Sequence, residues 1–439
     1  MMRRFALGVL SALPIATAAS GGPLRSGWEL ASSASLGTAV GGKQLSGPAA
    51  ATTGGNWSQL QEFPATVLAG VVEAGEYPEI FFSQNLKAVE TARFDVPWWY
   101  RIELPAEAAD NAQAGGKAVL TFQGLNYRAN IWVNGRLLAN ATSTQGAYNY
   151  FDVDASEALA AGGGTFLAVQ VFRSFDWGID CHESHLAENL QVSCRGKNKS
   201  QSQDLGITWV DWAPAPHDAN MGLWRDVVLT TTQAHSEPPV TLRYPGVHTS
   251  FSAGNTGASV TITAEAVNWG NTFLSGSVHM ALGSLGTADV LVHLPAGGVV
   301  TQFVVNMSLS GLNPETDLWW PWQMGTQNRH ELSMSFGVAA EAGAHLTLVS
   351  RTVMALVGLR SASNALDANN NVVFRINGQR LLIRGGGYAP DLLQRMNKQR
   401  TRREMAITKD LGLNAIRLEG ILSDHHHSLV PWPACTVQF

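Results

Sequence analysis

Arg417 and Glu419 stand two residues apart at the end of the apolar run Asn414-Ala-Ile-Arg-Leu418. Side chains alternate along a strand, so the guanidinium and the carboxylate would share one side while Leu418 takes the other. A fixed cation and anion can hold a polar substrate through charge-assisted hydrogen bonds, and a carboxylate there suits an ammonium group. The same two groups could instead form a salt bridge with each other. Asp211-Trp212 offers a second pairing, in which a carboxylate accepts from hydroxyls while an indole packs on an apolar ring face. The competing reading is a core tryptophan beside a turn-capping aspartate. Tyr388 and Asp391, in Gly387-Tyr-Ala-Pro-Asp391, could line the same pocket as Arg417, although Asp391 also suits a helix N-cap. Three consecutive histidines, His425-His426-His427, cannot converge on one ion from a regular element and lack ligand-spaced partners, so no metal site is expected.

The elements that would position these groups begin with a hairpin over Phe374 to Arg384, turning at Asn377-Gly378, a favoured pair for a type I′ turn. Leu381-Leu382-Ile383 reads as a buried strand, and Gly385-Gly386-Gly387 as a sharp turn at its end. A helix is expected around Thr401 to Leu411, with Gly412 at its C-cap, before the strand that carries Arg417. Strand, helix and parallel strand open an α/β barrel, whose eight units take roughly 250 residues. Only 19 residues follow Gly420. Residues 366–439 are therefore expected to be poorly ordered or to dock loosely, with unpaired strand edges and an aggregation risk.

Upstream, residues 21–235 read as all-β. Trp98 to Leu104, Lys117 to Phe122, Thr165 to Phe172 and the Asn134-Gly135 hairpin over Ala129 to Leu138 are strand candidates, in the manner of a jelly-roll sandwich. Residues 236–362 suit an immunoglobulin-like sandwich, with strands at Ala258 to Thr263, Gly298 to Val305 and Leu346 to Val353. Residues 181–203 are polar, have no apolar period and read as an inserted loop. Within them Cys181 and Cys194 could pair, leaving Cys435 as the odd thiol.

The 439 residues are 45% apolar and 14% charged with a net charge of −5, which supplies ample core and no basic footprint for nucleic acid. Fourteen tryptophans fill sandwich cores or, for a few, line saccharide subsites. Met1 to Ser20 carries Arg3 and Arg4, an apolar run and small residues, the pattern of a secretory signal peptide. No later apolar run would span a bilayer, so a secreted, extracellular protein is expected. Sequons at Asn56, Asn140, Asn198 and Asn306 fit that route. No nucleotide fingerprint is present, and no cofactor is expected.

Three groups of motifs together resemble glycoside hydrolase family 2, in its exo-β-D-glucosaminidase and β-mannosidase-like branch. Phe63-Pro-Ala-Thr-Val-Leu-Ala-Gly70, Asn85-Leu86 and Phe94-Asp-Val-Pro-Trp-Trp-Tyr100 look like the opening of that family's sugar-binding domain. Asp204-Leu-Gly-Ile-Thr-Trp-Val-Asp-Trp212 and Asn220-Met-Gly-Leu-Trp224 are similar to its closing strands. Leu318-Trp-Trp-Pro-Trp-Gln-Met-Gly325 and Phe374 to Gly420 resemble the second sandwich and the barrel opening. The resemblance runs over nearly all of residues 57–420.

It implies a jelly roll, an immunoglobulin-like sandwich and a TIM barrel, acting by retaining double displacement with two carboxylates about 5–5.5 Å apart. In the family these lie on later barrel strands, in an Asn-Glu pair and a second Glu. No residue here matches either, so no catalytic acid or nucleophile is assigned. By the resemblance Asp211 and Trp212 reach over the barrel mouth, and Arg417 is similar to the arginine that keeps the nucleophile ionised. The mannosidase branch carries an aromatic where Glu419 stands, so Glu419 points to terminal β-linked glucosamine on chitosan-like oligosaccharides. The insertion at 181–203 and the divergent tail at 421–439 suggest a truncated or misread frame, and this polypeptide is expected to be inactive. A β-mannosidase-type hydrolase and a non-catalytic carbohydrate-binding protein remain the alternatives.

Overall fold

The computed structural model describes residues 19–37, 40–173, 205, 214–232, 240–339, 346–395 and 398–418. It is a mainly β, multidomain chain with few helices. In the first unit a four-stranded sheet runs in the order Ala19–Pro23, Val227–Thr232, Lys117–Phe122, Phe151–Asp154. A six-stranded sheet holds Trp98–Glu103, Phe166–Phe172 and Arg128–Val133 at its centre. Alternation explains the core. Leu30, Tyr100, Ile102, Leu120, Phe122, Ile131 and Val169 turn inward and are buried together. The turn into Arg136–Ala139 has φ of 47° at Asn134 and 74° at Gly135, which these two residue types tolerate best.

The second unit pairs Val240–Phe251, Gly257–Asn268 and Val300–Ser310 in one sheet. Its other sheet runs Gly286–Leu294, Leu274–Leu282, His330–Ala339, Leu346–Val357. Along Val300–Ser310, Phe303, Val305, Met307 and Leu309 are buried while the residues between them are exposed, as expected of a strand with one wet face. Lys117–Phe122 differs, being buried on both faces. Its Ala118, Leu120 and Phe122 enter the first core, and Val119 packs on Val267 and Trp269 of the second unit. Arg243 adds an ion pair across this seam, its Nη1 lying 2.7 Å from Asp152 Oδ2.

Three details of the third segment depart from the sequence reading. The hairpin of Val372–Ile376 and Gln379–Leu381 turns at Asn377-Gly378 as expected, but its Ile376 and Leu381 join the second unit's core. Leu381-Leu382-Ile383 is also not the strand of the parallel pair: Leu382 is 76% exposed, and Gly385–Tyr388, whose three glycines read as a turn, forms that strand instead. Nor do the described residues of this segment sit loosely. Trp322 Nε1 donates to Leu413 O at 3.0 Å, Gln323 Nε2 to Gly412 O at 3.1 Å, and Asn377 Nδ2 to Trp319 O at 3.0 Å.

Candidate functional site

Gly385–Tyr388 and Ala415–Leu418 pair in parallel, with Gly387 opposite Arg417 and Tyr388 opposite Leu418. Helix Lys398–Asp410 connects them, forming one βαβ unit. Gly385 is required by closeness, since a Cβ there would sit 2.3 Å from Ala415 O. Asn414 stitches the strand starts together: its Oδ1 accepts from Arg384 N at 2.8 Å and its Nδ2 donates to Leu382 O at 2.9 Å. Tyr388 and Arg417 consequently stand near the C-terminal ends of neighbouring parallel strands, the edge at which barrel sites assemble. Arg417 is exposed there.

The loop after Tyr388 is organised by Asp391, which is 8% exposed. Its Oδ1 accepts from Leu393 N at 2.8 Å and Arg395 Nε at 3.2 Å. Its Oδ2 accepts from Arg395 Nη2 at 2.9 Å and from Arg400 Nη1. Burial alone would raise this carboxyl, but the two arginines outweigh it and hold it below the usual aspartate range. Arg400 also donates to Glu404 Oε1 at 2.8 Å, and Tyr388 OH donates to Glu404 Oε2 at 2.5 Å. Burial, then Glu404, pushes the Tyr388 phenol upward, so it remains a donor at neutral pH. The result is a continuous chain from Arg395 through Asp391, Arg400 and Glu404 to Tyr388.

The same loop is anchored in the first unit. Leu393 is fully buried in that unit's core, and its carbonyl accepts from Thr66 Oγ1 at 3.3 Å. Thr66 caps helix Val67–Glu73 by accepting from Ala69 N. Fully buried Asp218 accepts from Leu68 N at 2.8 Å and Asn220 N at 2.9 Å, which fixes the segment that follows residues 211–213. Arg395 lies over the Phe81 ring, 5.6 Å from its centre.

Burial pushes the Asp218 carboxyl up to about 6 despite its backbone donors. The folded protein therefore keeps a proton that the unfolded chain, ionising near 4, gives up. This contribution to stability is present in full below about 4 and is lost as pH rises through about 6. Between pH 4 and 7 the Asp218→Asn variant should gain on the parent by roughly 2–3 kcal/mol, whatever constant cost the amide carries. Denaturant melts across that range are the check, and a flat difference would remove Asp218 as the titrating group.

Of the sequence-proposed site residues, Tyr388 and Asp391 are linked through Glu404 and Arg400, whereas Arg417, opposite Gly387, takes the face of the strand pair that Tyr388 does not. Asp391 is occupied by its loop and its two arginines, which leaves little capacity for an outside donor. Asp211, Trp212 and Glu419 lie outside the described residues, as do Cys181, Cys194 and Asn198. Asn56, Asn140 and Asn306 are exposed. Arg395, Arg400 and Glu404 were missed. The spacing Asp391–Arg395 and Arg400–Glu404, each i,i+4, was the available signal.

Residues 43–225 match the family described as "Glycosyl hydrolase 2 galactose-binding domain-like". An exo-β-D-glucosaminidase of Amycolatopsis orientalis is 29% identical over 81% of this chain and 30% of its own length. The crystal structure of the exo-chitosanase CsxA from the same organism superposes with a TM-score of 0.71 at 27% identity, over 92% of this chain and 41% of that one. Residues 43–225 thus carry a galactose-binding-like domain of the glycosyl hydrolase 2 kind. A mannosylglycoprotein endo-β-mannosidase of Lilium longiflorum lies further off, 24% identical over 81% of this chain and 36% of its own. The chain thus spans between 30% and 41% of the length of these relatives.

Proposed function

We propose that this chain is the saccharide-holding part of an exo-β-D-glucosaminidase-type glycoside hydrolase, built as a jelly roll, an immunoglobulin-like sandwich and the first βα units of a TIM barrel. The whole protein would release terminal β-linked glucosamine from chitosan-like oligosaccharides with retention. The polypeptide of these 439 residues would bind such an end without cutting it. The observation that carries the reading is the register that sets Arg417 opposite Gly387 at the C-terminal edge of neighbouring parallel strands, with the adjoining loop held by the Asp391–Arg400–Glu404 chain. In it, Arg417 and Glu419 face the sugar, Asp211 and Trp212 close over it, and Tyr388 and Asp391 hold the bordering loop in place. Glucosamine bears an ammonium at acidic to neutral pH, which Glu419 accepts, and this favours glucosamine over the mannoside alternative. Secretion is part of the proposal, consistent with the basic and apolar start of the chain and with exposed sequons at Asn56, Asn140 and Asn306.

A charge-assisted bond to an ammonium contributes roughly 1.5–3 kcal/mol. Glu419→Gln should therefore weaken glucosamine binding about tenfold or more while leaving mannose binding nearly unchanged. Titration calorimetry with both sugars reads this, and equal losses for the two would overturn the ammonium assignment.

A further inference from the structure

A cleft of about 140 Å³ lies between the first and second β units. Water occupies about 30 Å³ in the liquid, so the space holds roughly four to five waters, or one pyranose ring. Trp269 forms one wall, held by donation from its Nε1 to Thr241 Oγ1 at 3.2 Å. Tyr244 forms another. It sits at a register break between Arg243 and Gly246, with φ of 53°, a region few tyrosines adopt. Such bulges re-aim a side chain, and strain of this kind gathers at binding sites. The ring is kept there by stacking on Tyr150, with centroids 4.7 Å apart.

Part of the polar lining is unspent, although Thr121 donates to Asp152 Oδ1 at 2.7 Å and Thr241 accepts from Trp269. The Gln123 amide and the Thr230 and Tyr244 hydroxyls line the cleft with no hydrogen-bond partner among the described residues. Arg243 is the one charged group on the wall, and it is matched by Asp152 Oδ2 at 2.7 Å and Glu265 Oε2 at 3.0 Å. Aromatic walls with a few convergent neutral donors and acceptors are what a small polar ring requires. Nothing in the lining is left to balance an ammonium or a carboxylate on the ligand.

We propose that this cleft is a second saccharide-binding site, apart from the strand edge that carries Arg417, which takes a single uncharged pyranose ring. Free monosaccharide and the end residue of a neutral oligosaccharide present the same ring. Hydrogen exchange read by mass spectrometry on the purified chain tests it, using methyl β-D-glucopyranoside, a neutral trisaccharide, and glucosamine as the charged probe. The glucoside should slow exchange in peptides covering 117–123, 227–232 and 240–247, at millimolar concentration. Protection by the trisaccharide as well assigns the site to chain ends. Protection by the monosaccharide alone assigns it to free sugar. Tyr244→Gly suits the left-handed backbone and should fold normally, yet bind about tenfold more weakly. Gln123→Ala should act in the same direction. No protection in these peptides, protection by glucosamine alone, or full protection in both variants at unchanged melting temperature would each overturn the proposal.

Discussion

Purified residues 21–439 should leave a chromogenic β-glucosaminide uncleaved, at a rate indistinguishable from buffer. Retaining glycosidases rely on a carboxylic acid that protonates the leaving oxygen and a carboxylate that attacks the anomeric carbon, about 5–5.5 Å apart. Acid–base assistance alone contributes about 10²–10⁴-fold, and working enzymes commonly turn over about 1–10³ times per second. Around the Tyr388–Arg417 edge, the described carboxylates are Asp391 and Glu404, and neither is available. Asp391 is enclosed by Arg395 and Arg400, while Glu404 accepts from Arg400 and from Tyr388. A carboxylate held below its ordinary range by two guanidiniums is a poor proton donor at neutral pH. Turnover at an ordinary enzymatic rate would overturn the reading of this polypeptide as a binder that does not cut.

The second large effect is expected at Asp391 itself. Replacing it with alanine strips Arg395, Arg400 and the Leu393 amide of a shared acceptor. Breaking a buried ion pair from one side costs about 3–5 kcal/mol. Both arginines are partly open to water, at 30% and 38% side-chain exposure, so solvent screening reduces the figure to about 2–3 kcal/mol. Asp391→Asn, which keeps an acceptor for Leu393, should lose less. The lowered carboxyl sets the pH sign: this stabilisation is present above the ordinary aspartate range and is lost as pH falls through it. Exchange rates of peptides across 385–395 and 398–418 should rise in Asp391→Ala while those of 257–268 stay fixed. Unchanged exchange across 385–418 would deny Asp391 its organising part.

Much of the fold was legible because its signals are local. Both Asn-Gly pairs turn where expected, with positive φ at Asn134, Gly135, Asn377 and Gly378. The helix before Gly412 and the strand before Glu419 also fall close to their expected places. The first strand of the parallel pair was not legible. Three glycines carry no apolar period, and the neighbouring Leu-Leu-Ile run imitates a buried strand although Leu382 faces water. Gly385–Tyr388 is a strand because Ala415 approaches too closely for any Cβ at Gly385, a fact of pairing rather than composition. The Asp391 network was hidden for a related reason. Sequence shows that opposite charges recur at helical spacing, but not which partner a carboxylate selects once its loop is closed. Equally, nothing in Lys117–Phe122 announces that its second face meets another unit.

Leu393 has a consequence for how the molecule is made. The closing strand of the first unit ends at Thr232, yet that unit's core is complete only when Leu393 arrives from far along the chain. At about 5–20 residues per second, the ribosome takes roughly ten to thirty seconds to cover that distance. Throughout that interval the nascent first unit carries an unfilled apolar socket, a natural handhold for a chaperone and a point at which a stalled message leaves an unfinished product.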